Sequence, residues 1–195
     1  MLMQLLMFLV DTLAGFFTLA LLIRFILQWV KAPFRNPLGQ FVIAVTDWAV
    51  RPTRRLIPGL FGLDMASLVL AWFTQLLISV VSVGFSAGVT HLFEMVGTVS
   101  PAPILMLMIL AVILVAKLAC YVMLGAVLMS ALFSWVNPNA PLADVVNAVS
   151  YPLLKPLRRW IPLLGGVDLS PLAFVVLLQM LMMVLERLRW AVIAG

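Results

Sequence analysis

The side chains with chemistry in reach form a cluster that the sequence writes twice. Residues 51–64 read RPTRRLIPGLFGLD, and 104 positions later residues 155–168 read KPLRRWIPLLGGVD, with eight of the fourteen positions identical. Each copy sets two guanidinium groups, Arg54 and Arg55 or Arg158 and Arg159, beside apolar residues and follows them with an aspartate, Asp64 or Asp168. With Arg51 and Lys155 these cations suit lipid phosphates or an acidic partner, each basic group near an anionic surface contributing about 1 kcal/mol. The aspartates suit a different task. A carboxylate at a helix start accepts hydrogen bonds from unpaired amides and stabilises the helix by about 1 kcal/mol relative to alanine, so Asp64 and Asp168 are expected to be helix caps.

A second set of polar groups stands alone in apolar runs: Asp11, Arg24, Gln75, Lys117 and Gln179. Ionisable groups inside a membrane are costly and tend to mark function. Catalysis is not the expected function, because one histidine and one cysteine cannot build a metal cluster. The sequence also contains no phosphate-binding glycine loop and no nucleophile, base and acid set. Most of its seven carboxylates are accounted for as caps or loop residues. No catalytic residue, metal or cofactor is therefore expected. A lone cysteine excludes an internal disulfide, and Cys120 reads as a small packing residue.

The solvent that surrounds these groups follows from composition. Of 195 residues, 65% are hydrophobic and only 10% charged, and the mean hydropathy is +1.22, whereas soluble domains are about a quarter charged. The chain reads as an all-α, polytopic membrane protein. Its net charge of +5 would suggest nucleic acid in a soluble protein, but the bases lie between apolar spans, where they set orientation. Nucleic acid is set aside. The opening MLMQLLMFLV lacks the basic start and short apolar core of a secretory signal, so the first segment is expected to stay as an anchor.

Four stretches, roughly residues 5–30, 65–88, 104–136 and 169–188, are long enough to cross a hydrocarbon core, which takes about 20 helical residues. Residues 1–10 and 101–114 are apolar beyond that need, and either continue their helices or lie on the outer surface. One basic loop carries Lys31, Arg35, Arg51, Arg54 and Arg55, the other Lys155, Arg158 and Arg159. Two spans separate these loops, so they face the same side. The loop between the second and third spans has only His91 and Glu94. The positive-inside rule makes the long loops cytoplasmic and both termini external, against the weaker pull of Arg187 and Arg189.

The repeat extends beyond the basic motif. Gln179 stands 104 positions after Gln75 and Pro141 after Pro37, while a two-residue shortening lays QWV at 28–30 over SWV at 134–136. The chain is thus one membrane domain, 1–195, with repeat one at 1–90 and repeat two at 101–195. Two spans per unit give parallel repeats about an axis along the membrane normal. Each basic loop opens with an amphipathic helix. One places Leu142, Val145, Val146 and Val149 opposite Asp144, Asn147, Ser150 and Tyr151; the other places Leu38, Phe41, Val42 and Val45 opposite Asp47. Asn36 with Pro37, and Asn139 ahead of Pro141, supply start signals, and Pro52 and Pro156 are expected to end the helices. Such helices lie along the headgroup layer or fold back onto the protein. Prolines 58 and 162 and the glycines after them then turn the chain.

The repeat also assigns depth. Asp11 and Lys117 each lie eighteen residues before a tryptophan, Trp29 or Trp135, so they are expected at equal depth as an ion pair between the first and third spans, or at the outer interface in water. Gln75 and Gln179, eleven residues past their aspartates, lie about 16 Å into their spans, placed for interhelical hydrogen bonds or for lining a narrow polar path. Arg24, with Ser130 at the matching position, is expected to snorkel to the cytoplasmic headgroups. Gly84 and Gly88 make a small-xxx-small pattern.

This tandem of span, Asn-Pro-Leu start, Pro-x-x-Arg-x-Ile-Pro turn, aspartate and glutamine-bearing span resembles the YggT family, related to the YlmG proteins of bacteria and plastids. The family pattern falls on Asn36, Pro37, Pro52, Arg55, Ile57, Pro58 and Asp64, and on Pro141, Pro152, Pro156, Arg159, Ile161, Pro162, Asp168, Ser170 and Pro171. The first half departs from it at Trp48, opposite Pro152, and at Met65-Ala66-Ser67, opposite Leu169-Ser170-Pro171. The resemblance implies a multi-pass protein of the bacterial inner membrane with no established reaction, linked to osmotic or ion homeostasis and, in relatives, to cell division and the assembly of membrane complexes. The expected function is a non-catalytic protein that organises or stabilises a membrane assembly. Its expected partners are anionic lipids, a membrane protein or further copies of itself. The alternative is a small ion channel or transporter subunit with Gln75, Gln179, Asp11 and Lys117 near its path.

Overall fold

The computed structural model describes residues 1–59, 62–87, 102–137, 139–161 and 168–194. Its described residues form six helices: α1 Leu2–Trp29, α2 Pro37–Leu56, α3 Met65–Ala87, α4 Ala102–Val136, α5 Ala143–Trp160 and α6 Ser170–Ala194. Helices α1, α3, α4 and α6 are long and apolar enough to cross a membrane. The apolar residues at 1–10 and 102–114 continue their helices, making α1 28 and α4 35 residues long. His91, Glu94, Gly88 and Pro162 lie outside the described residues.

The spans pair as hairpins, α1 with α3 and α4 with α6, and α3 and α1 both pack on α4. Leu21 and Leu22 of α1, Val50 of α2, Ala66 and Ala71 of α3 and Val115 of α4 form one buried cluster. A second joins Ile26 and Leu27 to Ala32 and to Val145 and Val149 of α5. The α2 and α5 helices therefore fold back onto the spans. Each packs on the spans before and after it.

Local chemistry explains where α2 and α5 begin. Asn36 accepts the amide of Gly39 at 2.8 Å on its side-chain oxygen, with Pro37 at the first helical position, the arrangement that satisfies a free helix-start donor. Gly39 is required there, since a Cβ would lie 2.6 Å from the Phe34 carbonyl oxygen. In the second unit Ala140 intervenes between Asn139 and Pro141, so Asn139 does not cap the helix. Instead α5 starts later, at Ala143, with no side-chain cap.

The helix ends also correct the sequence reading. Pro52, Pro152 and Pro156 lie inside α2 and α5, which run on to Leu56 and Trp160. The stop comes from the next proline in each motif. A residue before proline is pushed out of the helical region, and Ile57 (φ −120°, ψ 92°) and Ile161 (φ −107°, ψ 108°) are extended. The arginine pairs consequently occupy the last helical turn, where cations complement the helix dipole.

Candidate functional site

The face that α2 buries is Gly39, Val42, Thr46 and Val50. These residues recur at intervals of three and four and so share one side of the helix. Asp47 sits at the edge of that side, not opposite it, and Phe41 is exposed. Across from it α1 presents Arg24. This arginine does not snorkel: its side chain is 7% exposed, because α2 covers it. It donates to Asp47 Oδ1 and to Thr46 Oγ1, both at 2.8 Å, and its Nε lies 3.4 Å from Asp64 Oδ2. A buried guanidinium is tolerable only when paired and hydrogen-bonded in this way.

Asp64 is the centre of the network. Its side chain is 1% exposed and accepts both Nε (3.1 Å) and Nη2 (2.6 Å) of Arg54, the two-pronged contact that suits guanidinium and carboxylate. It also accepts the hydroxyl of Ser67 at 2.7 Å. Arg54 reaches Gln28 at 3.2 Å, and Gln28 donates to the Gly62 carbonyl at 3.3 Å. Gly62 adopts φ +80°, the left-handed conformation that glycine takes most readily. Arg51 pairs with the outer oxygen of Asp47 at 2.7 Å. One turn, the end of one helix and the start of the next are thus held on α1 by alternating charges.

The second unit repeats the outer part of this arrangement. Arg158 Nε donates to Asp168 Oδ2 at 2.8 Å, and Asp168 Oδ1 accepts the Ser170 amide at 2.9 Å. The inner part is neutral. Ser130, at the Arg24 position, donates to Asn147 at 2.7 Å. Ser150, expected on the outer face of α5, is 1% exposed and donates to the carbonyls of Val146 and Ala126.

Burial opposes ionisation of all three aspartates, and hydrogen bonds and cations outweigh it. Arg24 and Arg51 hold Asp47 below its ordinary value of 3.8, Arg54, Ser67 and Arg24 do the same for Asp64, and Ser170 and Arg158 for Asp168. In return, the Asp64 hydrogen bond raises Arg54 against the opposing effect of burial. The arrangement keeps every carboxylate charged, which suits a structural lock and not proton transfer.

Arg54 and Arg158 therefore spend their charge within the chain. Arg55, Arg159 and Lys155 are exposed and make no ion pair among the described residues. Beside them, Leu56 is 83% and Trp160 86% exposed.

The other intramembrane groups do not converge. Lys117 pairs with Glu186 of α6 at 2.5 Å, and Glu186 also takes Arg189 at 3.2 Å. The expected Asp11–Lys117 pair is not formed; exposed Asp11 instead faces a small cavity with Ile78, Val81 and Ser82 of α3. Equal sequence position does not mean equal height, since the Trp72 indole, near the start of α3, donates to the Met108 carbonyl, near the start of α4, at 3.2 Å. Gln75 is buried and donates to Thr18 at 3.1 Å, while Gln179 is exposed. The two glutamines line no common path. Sequence reasoning passed over Thr46, Gln28, Ser67 and Glu186 and turned Asp47 outward. The available signal was Arg24 itself, which in an apolar run demands a carboxylate.

The profile of the family described as CCB3/YggT matches this chain twice, over residues 3–85 and 109–189. The chain belongs to the CCB3/YggT family. It is 38% identical over 187 residues to a Pseudomonas aeruginosa protein, covering 93% of this chain and 88% of that one. It is 33% identical over 182 residues to YggT of Escherichia coli, covering 93% and 89%. It is 32% identical over 174 residues to a Vibrio alginolyticus protein, covering 88% of each chain. No solved structure matches. The two matched family segments take in α1 to α3 and most of α4 to α6, and each contains one arginine–aspartate clamp.

Proposed function

We propose that this CCB3/YggT-family protein is a non-catalytic organiser of a bacterial inner-membrane assembly, supporting envelope, osmotic or ion homeostasis. One observation carries the reading: each clamp holds its turn with one arginine and leaves the next one free. Arg55 and Arg159 project beside exposed Leu56 and Trp160. A cation next to a large apolar side chain is the combination that sits at headgroup depth, with the charge on phosphates or an acidic partner and the apolar side chain in the acyl region. Lys155 extends this surface. The free charges suit docking, and the paired ones suit rigidity. In this reading both clamps face the cytoplasm and both termini lie outside.

The test is capture from native membranes with the full chain and with an Arg55→Gln, Lys155→Gln, Arg159→Gln variant. The expected result is a membrane-protein partner recovered with the native chain and reduced by up to about a hundredfold with the variant, since three cations at about 1 kcal/mol each total about 3 kcal/mol. Unchanged recovery, or ion flux in liposomes that Gln75→Ala and Gln179→Ala abolish, would overturn the reading. Cysteines placed at 55 and 159 in a Cys120→Ala chain should label from the cytoplasmic side alone.

A further inference from the structure

Gln75 and Gln179 hold equivalent positions in the two units, yet only one is satisfied. The Gln75 amide is buried against Thr18, whereas Gln179 is exposed and makes no hydrogen bond in the described structure. It stands nine residues past Ser170, the first residue of α6, or about 14 Å along the helix. Its neighbours Val176, Met180 and Met183 are half or more exposed. A side-chain amide in that position faces lipid chains, which offer neither donor nor acceptor. Something else must supply them.

We infer that α6 is the contact helix of a homodimer in which the Gln179 amides of two copies hydrogen-bond each other. A carboxamide carries both a donor and an acceptor and is self-complementary. A two-fold axis along the membrane normal brings the same residue of both copies to the same depth automatically. The helix face agrees. Leu172, Val176, Gln179 and Met183 follow the alternating four-and-three spacing of a helix–helix seam, and the three apolar residues are 50–68% exposed. A single polar residue on such a seam fixes its register. Leu178, about 100° around the helix from Gln179, is buried against its own chain, and the next seam position after Met183, Glu186, is committed to Lys117, so the free stretch of this face runs from Leu172 to Met183. The inference stands apart from the proposed function, since a dimer could serve an organiser or a conduit.

The experiment uses the full chain, with Cys120→Ala, in native membranes. Val176→Cys and Met183→Cys should cross-link between copies with a short bis-maleimide, and Leu181→Cys, off the seam, should not. Cross-linking only at Leu181→Cys, or at none of the three, overturns the dimer. In liposomes, Gln179→Leu should dimerise roughly five- to tenfold more weakly, the size of two reciprocal intramembrane hydrogen bonds. As a monomer it should melt at the same temperature as the native chain, because the exposed Gln179 amide makes no hydrogen bond among the described residues of one copy. An unchanged dimerisation constant refutes the amide pairing, and capture of a different protein at Val176→Cys refutes the second copy as the occupant.

Discussion

Replacing Arg24 by methionine tests the charge network at its least replaceable point. The change removes the guanidinium but keeps an unbranched apolar stem of similar length. Asp47, with an 18% exposed side chain, would keep only the exposed Arg51, and Asp64 would keep Arg54 but lose its second cation. Breaking a buried ion pair by removing one partner costs about 3–5 kcal/mol. The lower end applies here, about 3 kcal/mol, because both carboxylates retain a partner. Arg158→Met is the internal comparison. Its pair with Asp168 is 45% and 30% exposed, so solvent screening limits the loss to about 0–1 kcal/mol. Reversible unfolding in mixed micelles titrated with a denaturing detergent reads both. Arg24→Met, Asp47→Leu together should cost less than the two single changes summed, since the double variant strands no charge there. Equal costs for Arg24→Met and Arg158→Met, or strict additivity in the double, would refute the buried-network account.

Acid should weaken the same network. Asp47, Asp64 and Asp168 are all held below 3.8 in the folded chain. Their contribution is therefore complete above the unfolded value and lost as pH falls through the lower folded values. Stability measured from pH 7 downwards should stay level until about pH 4 and then drop, and Asp64→Asn should flatten that drop. The charge swap Lys117→Glu, Glu186→Lys should restore stability lost by either single reversal, while Asp11→Lys, Lys117→Asp should not, as thermal unfolding will show. Gly39→Ala should destabilise by about 1–3 kcal/mol, the usual cost of overpacking, because the new methyl meets backbone at 2.6 Å; a neutral result would refute that close approach.

The spans were legible because composition alone sorts residues between lipid and water, and α2 was legible because Asn36 and Pro37 are adjacent. The errors have a common source. The sequence reading treats Pro52 and Pro156 as helix terminators, yet Pro52, Pro152 and Pro156 stand inside α2 and α5 with helical residues before them. Proline disfavours helix at the preceding residue without forbidding it, and the chain leaves the helix only at Ile57, ahead of Pro58. The ion pairs were illegible for another reason. Arg24 and Asp47 are 23 residues apart and Lys117 and Glu186 are 69, and no periodic pattern encodes which of several carboxylates a folded helix will carry to a buried cation. The parallel placement of Asp11 and Lys117 failed because matching residues of a repeat share a local role, not a height in the bundle.

The two copies share an outline and differ in what holds them. In the first, Arg24, Asp47 and Thr46 join α2 to α1 through buried charge; in the second the same positions are Ser130, Tyr151 and Ser150, and α5 meets α4 through neutral bonds. A buried charge network tolerates one geometry, since any slip leaves an unpaired ion. Neutral bonds between a hydroxyl and a carbonyl cost about 1 kcal/mol to lose, and apolar contacts such as Val145 and Val149 on Leu27 can slide with little penalty. The first unit is thereby locked, with its glutamine turned inward. The second is held more loosely and, in α6, turns both a glutamine and a broad apolar face outward. With Ser130 where the first unit has Arg24, the second hairpin closes on itself through fewer internal partners and leaves more of its polar and apolar surface for contacts outside the unit.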